Sequence, residues 1–365
     1  MALSPQQDGA IQAVNAWLAD AGGPQVFYLA GYAGTGKTTI AKKLAEDAGN
    51  VVFAAFTGKA ALVLRGKGCD GASTIHSLIY KPDEDADTGL TKFKINRHDS
   101  DAKTADLIVI DEVSMVGEEL GRDLLSFGRK VLVLGDPAQL PPVGGEGFFT
   151  ARDPDYMLTE VHRQAAESPV LRLATTVREG GRLALGTYGT SLVLPRDRLG
   201  QKMVMGVDQV LCGTNKTRRT TNQKIRRLLG RGGRFVIGER VVALKNDKDR
   251  GLLNGSLWEV QEIELSDENE TEMVVKPLDP GMSVNAASVK THHAWLDGRE
   301  KELPWTVQRD YQPFDHAYAL SVHKAQGSQW DSVLVLDESR VFREDASKWL
   351  YTALTRASER VVVAV

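Results

Sequence analysis

An α/β fold in two domains with mostly parallel sheets is the class this sequence predicts, on three observations. Four short runs, Gln25–Gly31, 51–56, 106–111 and 130–135, are apolar on both parities, as strands covered on both faces must be. A glycine-rich turn, Gly31-Tyr-Ala-Gly-Thr-Gly-Lys-Thr38, joins the first run to a helical pattern. The strand–helix pattern restarts after residue 165, and 365 residues are too many for one ordinary domain.

The elements follow in order. Residues 4–20 read as a helix, and the helix after the glycine turn places Ile40 and Leu44 on one face before Gly49-Asn50 ends it. Residues 81–103 are polar and too long for a simple connection, so they predict a small inserted subdomain or hairpin. Within it Thr91, Phe93 and Ile95 alternate with Lys92 and Lys94. In the second half, strands near 207–213, 239–245, 316–322 and 332–337 lead to a helix around 345–357 and a terminal strand, Arg360–Val365. Residues 252–312 alternate apolar and polar between Gly, Pro and Asn turns, which predicts a separate antiparallel β insert. The expected boundaries are 1–165 for the first domain, with the hairpin at about 79–105, then 166–251 with 313–365 for the second, and 252–312 for the insert.

Composition narrows the class. Hydrophobic residues make up 42% and charged residues 25%, which excludes a disordered or collagen-like chain. No apolar run reaches the ~18 residues of a membrane span, and the start, MALSPQQDGAIQ, lacks the pattern of a secretory signal. Cys69 and Cys212 show neither metal-ligand nor disulfide spacing, so the expected location is a reducing cytoplasm, that of a bacterium or of a phage's host. The net charge of -3 hides a basic stretch: residues 210–250 hold twelve Lys/Arg against three Asp/Glu. Residues 262–302 reverse this, with ten acids against four bases. A charge run is either a solvated face or a surface for phosphates.

The glycine turn fits the full G-x-x-x-x-G-K-[ST] spacing between strand and helix. Gly34, Thr35, Gly36, Lys37, Thr38 and Thr39 would cradle nucleotide phosphates with backbone N–H groups and a helix N-terminus. Lys37 would reach the β/γ-phosphates and Thr38 would give its hydroxyl to Mg²⁺. The partner is Ile108-Val-Ile-Asp111-Glu112, where Asp111 would hold the Mg²⁺ shell and Glu112 would deprotonate water. A glutamate base favours an ATPase over a small-molecule kinase. Arg163 and Arg356 are candidates for transition-state charge, through bidentate bonds to a γ-phosphate.

These motifs in this order resemble superfamily 1 helicases of the RecD/Dda-like branch. Leu3-Ser-Pro-Gln-Gln7 is similar to the adenine-reading Q motif, Ala55-Phe-Thr57-Gly-Lys59 to motif Ia and Ser73-Thr74-Ile-His76 to motif Ib. Asp111–Met115, Gly135-Asp-Pro-Ala-Gln139-Leu-Pro-Pro142 and His162-Arg163-Gln resemble the second, third and fourth motifs. Ser321-Val-His323-Lys324-Ala-Gln326-Gly327 and Thr352-Ala-Leu-Thr-Arg356 resemble the fifth and sixth, and Asn254-Gly255 precedes a small SH3-like insert in this branch. Gln329 departs from the Glu that many relatives carry two residues after Gly327.

The resemblance implies two RecA-like P-loop domains with ATP and Mg²⁺ between them, and a cleft whose closure and reopening shift the grip on a strand. Gln7, Gly327 and Gln329 would contact nucleotide, and Gln139 would couple γ-phosphate to the DNA groove. Thr57, Lys59, Thr74, His76, Pro142, Asn215, His323 and Lys324 would line that groove, although Thr and Asn also act as caps and His as a core residue. Phe93 would stack on a base at the fork as a pin, or merely anchor the hairpin. The expectation is a monomeric 5′→3′ DNA helicase acting on single strands and on single/double-strand junctions, with no membrane partner. The alternatives are an ATP-switched nucleic-acid clamp or scaffold without unwinding and, more distantly, a P-loop kinase.

Overall fold

The computed structural model describes residues 3–84, 91–142, 145–160 and 167–365. The chain divides into two units, residues 1–172 and 173–365. The first begins with α1 (Pro5–Ala19), capped by Ser4, and β1 (Val26–Gly31). Then come α2 (Lys37–Asp47), β2 (Val51–Ala55), α3 (Gly58–Gly66), β3 (Ser73–Thr74) and α4 (Ile75–Ile79). After a hairpin, β4 (Tyr80–Glu84) and β5 (Thr91–Ile95), the unit continues with β6 (Leu107–Asp111), α5 (Glu118–Leu125), β7 (Lys130–Gly135) and β8 (Tyr156–Leu158).

The sheet has the order β3-β2-β6-β7-β1-β8, and every pairing is parallel. The double apolar parity of its strands has a direct cause. Phe27 and Leu29 pack in one layer with Val14 of α1 and Ile40 and Leu44 of α2, while Tyr28 and Ala30 pack in the opposite layer with Ile75 of α4 and Leu124 of α5. Burying each of the large apolar side chains contributes roughly 1.5–3 kcal/mol, so both faces must be covered. Parallel strands put their carboxyl ends on one edge, where β1, β6, β7, β2 and β3 deliver the loops that begin the predicted motifs. The hairpin is a separate two-stranded pairing, with Phe93 opposite Pro82.

The second unit holds two sheets. One has the order β17-β11-β18-β19-β10-β9 and is parallel except where β9 (Gly186–Tyr188) meets β10 (Ser191–Leu194). Its other strands are β11 (Gln209–Cys212), β17 (Ala319–Ser321), β18 (Trp330–Leu336) and β19 (Ala357–Ala364). The other sheet is antiparallel, β15-β14-β13-β12-β16. It comprises β12 (Arg240–Ala243), β13 (Leu257–Ser266), β14 (Glu270–Pro277), β15 (Ala287–His292) and β16 (Phe314–His316). The helices that matter below are α6 (Asn215–Leu228), α7 (Trp305–Gln308), α8 (Val322–Ala325) and α9 (Ala346–Leu354).

Two expectations need correction. The strand expected near 239–245 belongs to the antiparallel sheet, and so does the start of the strand expected at 316–322. Val241, Val242 and Ala243 are all buried, so this central antiparallel strand has the double apolar parity of a parallel one. The last helix ends at Leu354 and a strand resumes at Ala357, which places Arg356 in the turn between them and not in the helix. Among the described residues no helix is long and apolar enough to cross a membrane.

Candidate functional site

The glycine turn leaves β1 at the carboxyl edge. Gly34 and Gly36 have φ of 81° and 83°, a region a side chain enters only at a cost. A Cβ on Gly31 would stand 2.7 Å from Thr35 Oγ1 and 2.9 Å from Leu158 Cβ, so this close approach also requires glycine. Lys37 opens α2 and donates to the carbonyl oxygens of Gly31 at 2.5 Å and Tyr32 at 3.1 Å. Its ammonium is thus held by the loop it is expected to serve. Thr38 Oγ1 donates to Asp111 Oδ2 at 3.0 Å, which joins the first turn of α2 to the end of β6. A hydroxyl and a carboxylate at that distance are the hard oxygen donors Mg²⁺ takes beside phosphate, so these residues fit the ion. Thr39 is exposed on the same turn.

Glu112 follows with φ 55° and ψ 46°, left-handed for a residue that is not glycine. Such a conformation costs of order 1–3 kcal/mol and persists where surrounding structure enforces it. Its N–H donates to Asp111 Oδ1 at 2.8 Å, so the two carboxylates share one strand end. Gln139, beyond β7 on the same edge, is buried, and its Oε1 has no hydrogen-bond partner among the described residues. An amide held ready in this way suits a group that must bond something not yet bound.

Gln7 occupies a different place from a free base contact. It is 3% exposed, accepts from the Ser4 N–H at 3.0 Å as part of a capping box, and donates to the Thr35 carbonyl at 3.0 Å. It therefore ties α1 to the glycine turn. The sequence reading missed its neighbour. Gln6 accepts from the N–H groups of Thr159 and Glu160, both at 2.8 Å, and donates to the Met157 carbonyl at 3.3 Å and Thr159 Oγ1 at 3.0 Å. Its partners lie some 150 residues away, and only the side-by-side glutamines hinted at it. Arg163 falls outside the described residues.

Of the residues expected to face nucleic acid, Thr57 and Thr74 are N-caps, accepting from the N–H groups of Ala60 and Ser77 at 3.1 Å each. They fix the starts of α3 and α4 where β2 and β3 end. Lys59 is buried within α3. His76 is exposed, its ring 5.3 Å from that of Tyr80, and desolvation holds its imidazole below the usual range. Pro142 is half-buried in the loop that follows Gln139. Phe93 is 66% exposed, which disfavours its reading as a hairpin anchor.

In the second unit, Ser321 caps α8, which carries His323 and Lys324. His323 packs 5.6 Å from Phe342, and burial lowers its pKa. Burial, assisted by Arg218, brings Lys324 down to about 8, against the opposing pull of Asp315 and Glu300. Gly327 turns with φ 75°, and Gln329 is exposed beyond it. Arg356 is buried, its guanidinium donating to the carbonyl oxygens of Thr352 and Ser328, both at 3.2 Å, so the sixth motif grips the fifth. Asn215 is exposed at the first turn of α6 and accepts from Arg218 Nε at 3.3 Å.

The basic stretch divides into paired and exposed cations. Arg218 pairs with buried Asp315, and Arg226 and Arg231 with fully buried Glu239. Arg234 pairs with Asp297, Arg250 with Asp247, and Arg240 donates to the Asp208 carbonyl at 2.8 Å. Arg218, Arg234 and Arg240 thus tie the stretch to Asp315, Asp297 and Asp208 elsewhere in the unit, while Arg226, Arg231 and Arg250 pair with acids of the stretch itself. Lys216, Lys224, Arg227, Lys245 and Lys248 remain exposed. Cys69 and Cys212 are free and buried, and burial pushes the Cys212 thiol up to about 12.

Known proteins resemble this chain over most of its length. Residues 2–191 match the family described as an AAA domain, and residues 316–364 match the UvrD-like helicase C-terminal domain. The chain is 32% identical to the ATP-dependent RecD2 DNA helicase of Deinococcus radiodurans over 93% of its own length and 46% of that protein's. It is 27% identical to the conjugal transfer protein TraA of Rhizobium radiobacter, over 98% of this chain and 32% of the other. It spans less than half the length of these curated relatives. Among solved structures, Pif1 helicase from Bacteroides in complex with ADP-AlF3 and single-stranded DNA superposes with a TM-score of 0.60 at 20% identity, covering 100% of this chain and 93% of that one. Pif1 helicase from Candida albicans gives a TM-score of 0.60 at 19% identity over 100% and 95%. At such identities the likeness is one of fold, here of α/β domains with mostly parallel sheets.

Proposed function

Because the chain belongs to the AAA-domain family and carries a UvrD-like helicase C-terminal domain, as a superfamily 1 helicase of the RecD/Pif1-like kind, we propose that it is an ATP-dependent DNA helicase moving 5′→3′ on single strands. The observation that carries the reading is the Thr38–Asp111 contact beside left-handed Glu112, at the carboxyl edge that also presents Lys37 and Gln139. In this reading Lys37 would release the loop carbonyls to bond β/γ-phosphate oxygens, Thr38 and Asp111 would hold Mg²⁺, and Glu112 would take the proton of the attacking water. Mg²⁺, when bound, neutralises charge developing on the phosphates. Arg163 and Arg356 would bond the transferring phosphoryl group, which requires Arg356 to give up the Ser328 carbonyl. Gln7 would hold the glycine turn in register with α1, and Gly327 and Gln329 would line the sugar side of the nucleotide.

Single-stranded DNA would be held without sequence reading by Thr57, Lys59, Thr74, His76, Pro142, Asn215, His323 and Lys324, with Phe93 as a pin at a junction. We take the working form as a monomer in the cytoplasm. The ATPase rate with and without single-stranded DNA tests the proposal. Strong stimulation is expected; binding of DNA without turnover would point to a clamp, and indifference to DNA would exclude a motor.

A further inference from the structure

Trp305 stands apart from the other tryptophans. Trp17, Trp258 and Trp349 are buried and Trp295 and Trp330 half-buried, whereas Trp305 exposes 48% of its surface. A large aromatic ring left in water by a fold that buries or half-buries its others is a feature of binding surfaces. Its position at the start of α7 is braced from beneath, since Gln308 donates to the carbonyl oxygens of Glu300 at 3.1 Å and Leu303 at 2.8 Å. The ammonium of exposed Lys245, just past β12, lies 5.8 Å from the ring centroid, within cation–π reach. An aromatic face with a cation beside it is the minimal unit that holds one base and its phosphate.

The pair lies close to the fifth motif within the same unit. The Gly255 N–H donates to the Ala243 carbonyl at 2.8 Å, two residues before Lys245. A Cβ added to Gly255 would stand 4.0 Å from the Lys324 carbonyl oxygen, so the Asn254-Gly255 turn bridges β12 and α8. From the other side, Glu300 on the segment leading to α7 acts electrostatically on the Lys324 ammonium. The strand that leads to Lys245 is thus tied through this turn to the helix of His323 and Lys324, and Glu300 lies five residues before Trp305.

We propose that Trp305 and Lys245 form a base-stacking platform that extends the single-strand path from His323 and Lys324 onto the antiparallel sheet. The ring stacks on one base, and Lys245 neutralises the adjoining phosphate. The inference rests on the helicase reading, and it assigns a nucleic-acid contact to a segment that lies outside every motif.

Equilibrium binding of the full chain to labelled oligo-dT tests it, alongside an abasic oligonucleotide of equal length. Trp305→Ala should weaken oligo-dT binding about 5- to 150-fold, the range of one lost base–aromatic stack. Trp305→Phe should stay within about threefold of wild type, and on the abasic strand Trp305→Ala and wild type should bind alike. Lys245→Ala should lower the salt dependence of binding by about 0.7 in log–log slope, the loss of one phosphate contact. ATPase without DNA should be unchanged in all three variants. The platform is refuted if Trp305→Ala binds oligo-dT as wild type does, or if it loses equal affinity on the abasic strand. If the wild-type chain hydrolyses ATP but binds neither strand, the helicase reading itself fails, an outcome distinct from failure of Trp305 alone.

Discussion

Replacing Asp315 by Ala should damage the second unit far more than removing any exposed lysine of the basic stretch. Arg218 and Asp315 are ion-paired with side chains only 6% and 5% exposed, and α6 and β16 meet through them. Deleting the carboxylate leaves a guanidinium buried without its counter-ion, a loss of about 3–5 kcal/mol. It also strips the His316 N–H of its acceptor, Asp315 Oδ1 at 2.7 Å, which adds roughly 1 kcal/mol or more. A total of about 4–6 kcal/mol corresponds to a melting transition lowered by roughly 10–20 °C in a unit of this size. Differential scanning calorimetry reads the shift directly. The double variant Arg218→Met/Asp315→Leu, which removes both charges and keeps apolar volume, should recover most of it. A loss below about 1 kcal/mol in Asp315→Ala would mean the pair is solvated like a surface pair, and Arg218 would return to the cations available for phosphate.

Other perturbations separate the chemistry from the grip. Glu112→Gln keeps volume and polarity at the left-handed position, so it should bind ATP while turnover falls ~10²–10⁴-fold in a steady-state phosphate-release assay; more than about a tenth of wild-type activity would exclude the general-base role. Phe93→Ala should reduce duplex unwinding much more than DNA-stimulated ATPase, because the ring is 66% exposed and contributes little to folding; equal losses with a lower melting temperature would make it structural. The Lys324 pKa is lowered from 10.5 to about 8, so its charge is present below pH 8 and fades above it, where an ordinary lysine would stay charged. Oligo-dT affinity at constant salt should accordingly fall up to about tenfold between pH 7 and 9, and Lys324→Arg should flatten that profile.

What could be read from the sequence was what is encoded locally. The glycine turn, Asp111-Glu112 and the strands of the first sheet are each defined by a few adjacent residues whose chemistry leaves little choice, and they occur where their spacing put them. What could not be read depended on distant partners. Arg218 and Asp315 are 97 residues apart, and nothing around either one says that a basic helix will bury its cations against a sheet. The sheet that β12 joins was equally hidden, since a short apolar run carries no record of the direction of its neighbours. Gln6 is read only once β8 is placed beside α1, and Trp305 only once its exposure is known.

The most direct test of the account compares ATP-driven unwinding of matched duplexes that differ only in carrying a 5′ or a 3′ single-stranded tail, with Glu112→Gln as the inactive control. Strand separation is expected on the 5′-tailed duplex, dependent on Mg-ATP and absent in the variant. Unwinding of the 3′-tailed duplex in its place, or ATP hydrolysis with no strand separation on either, would contradict it.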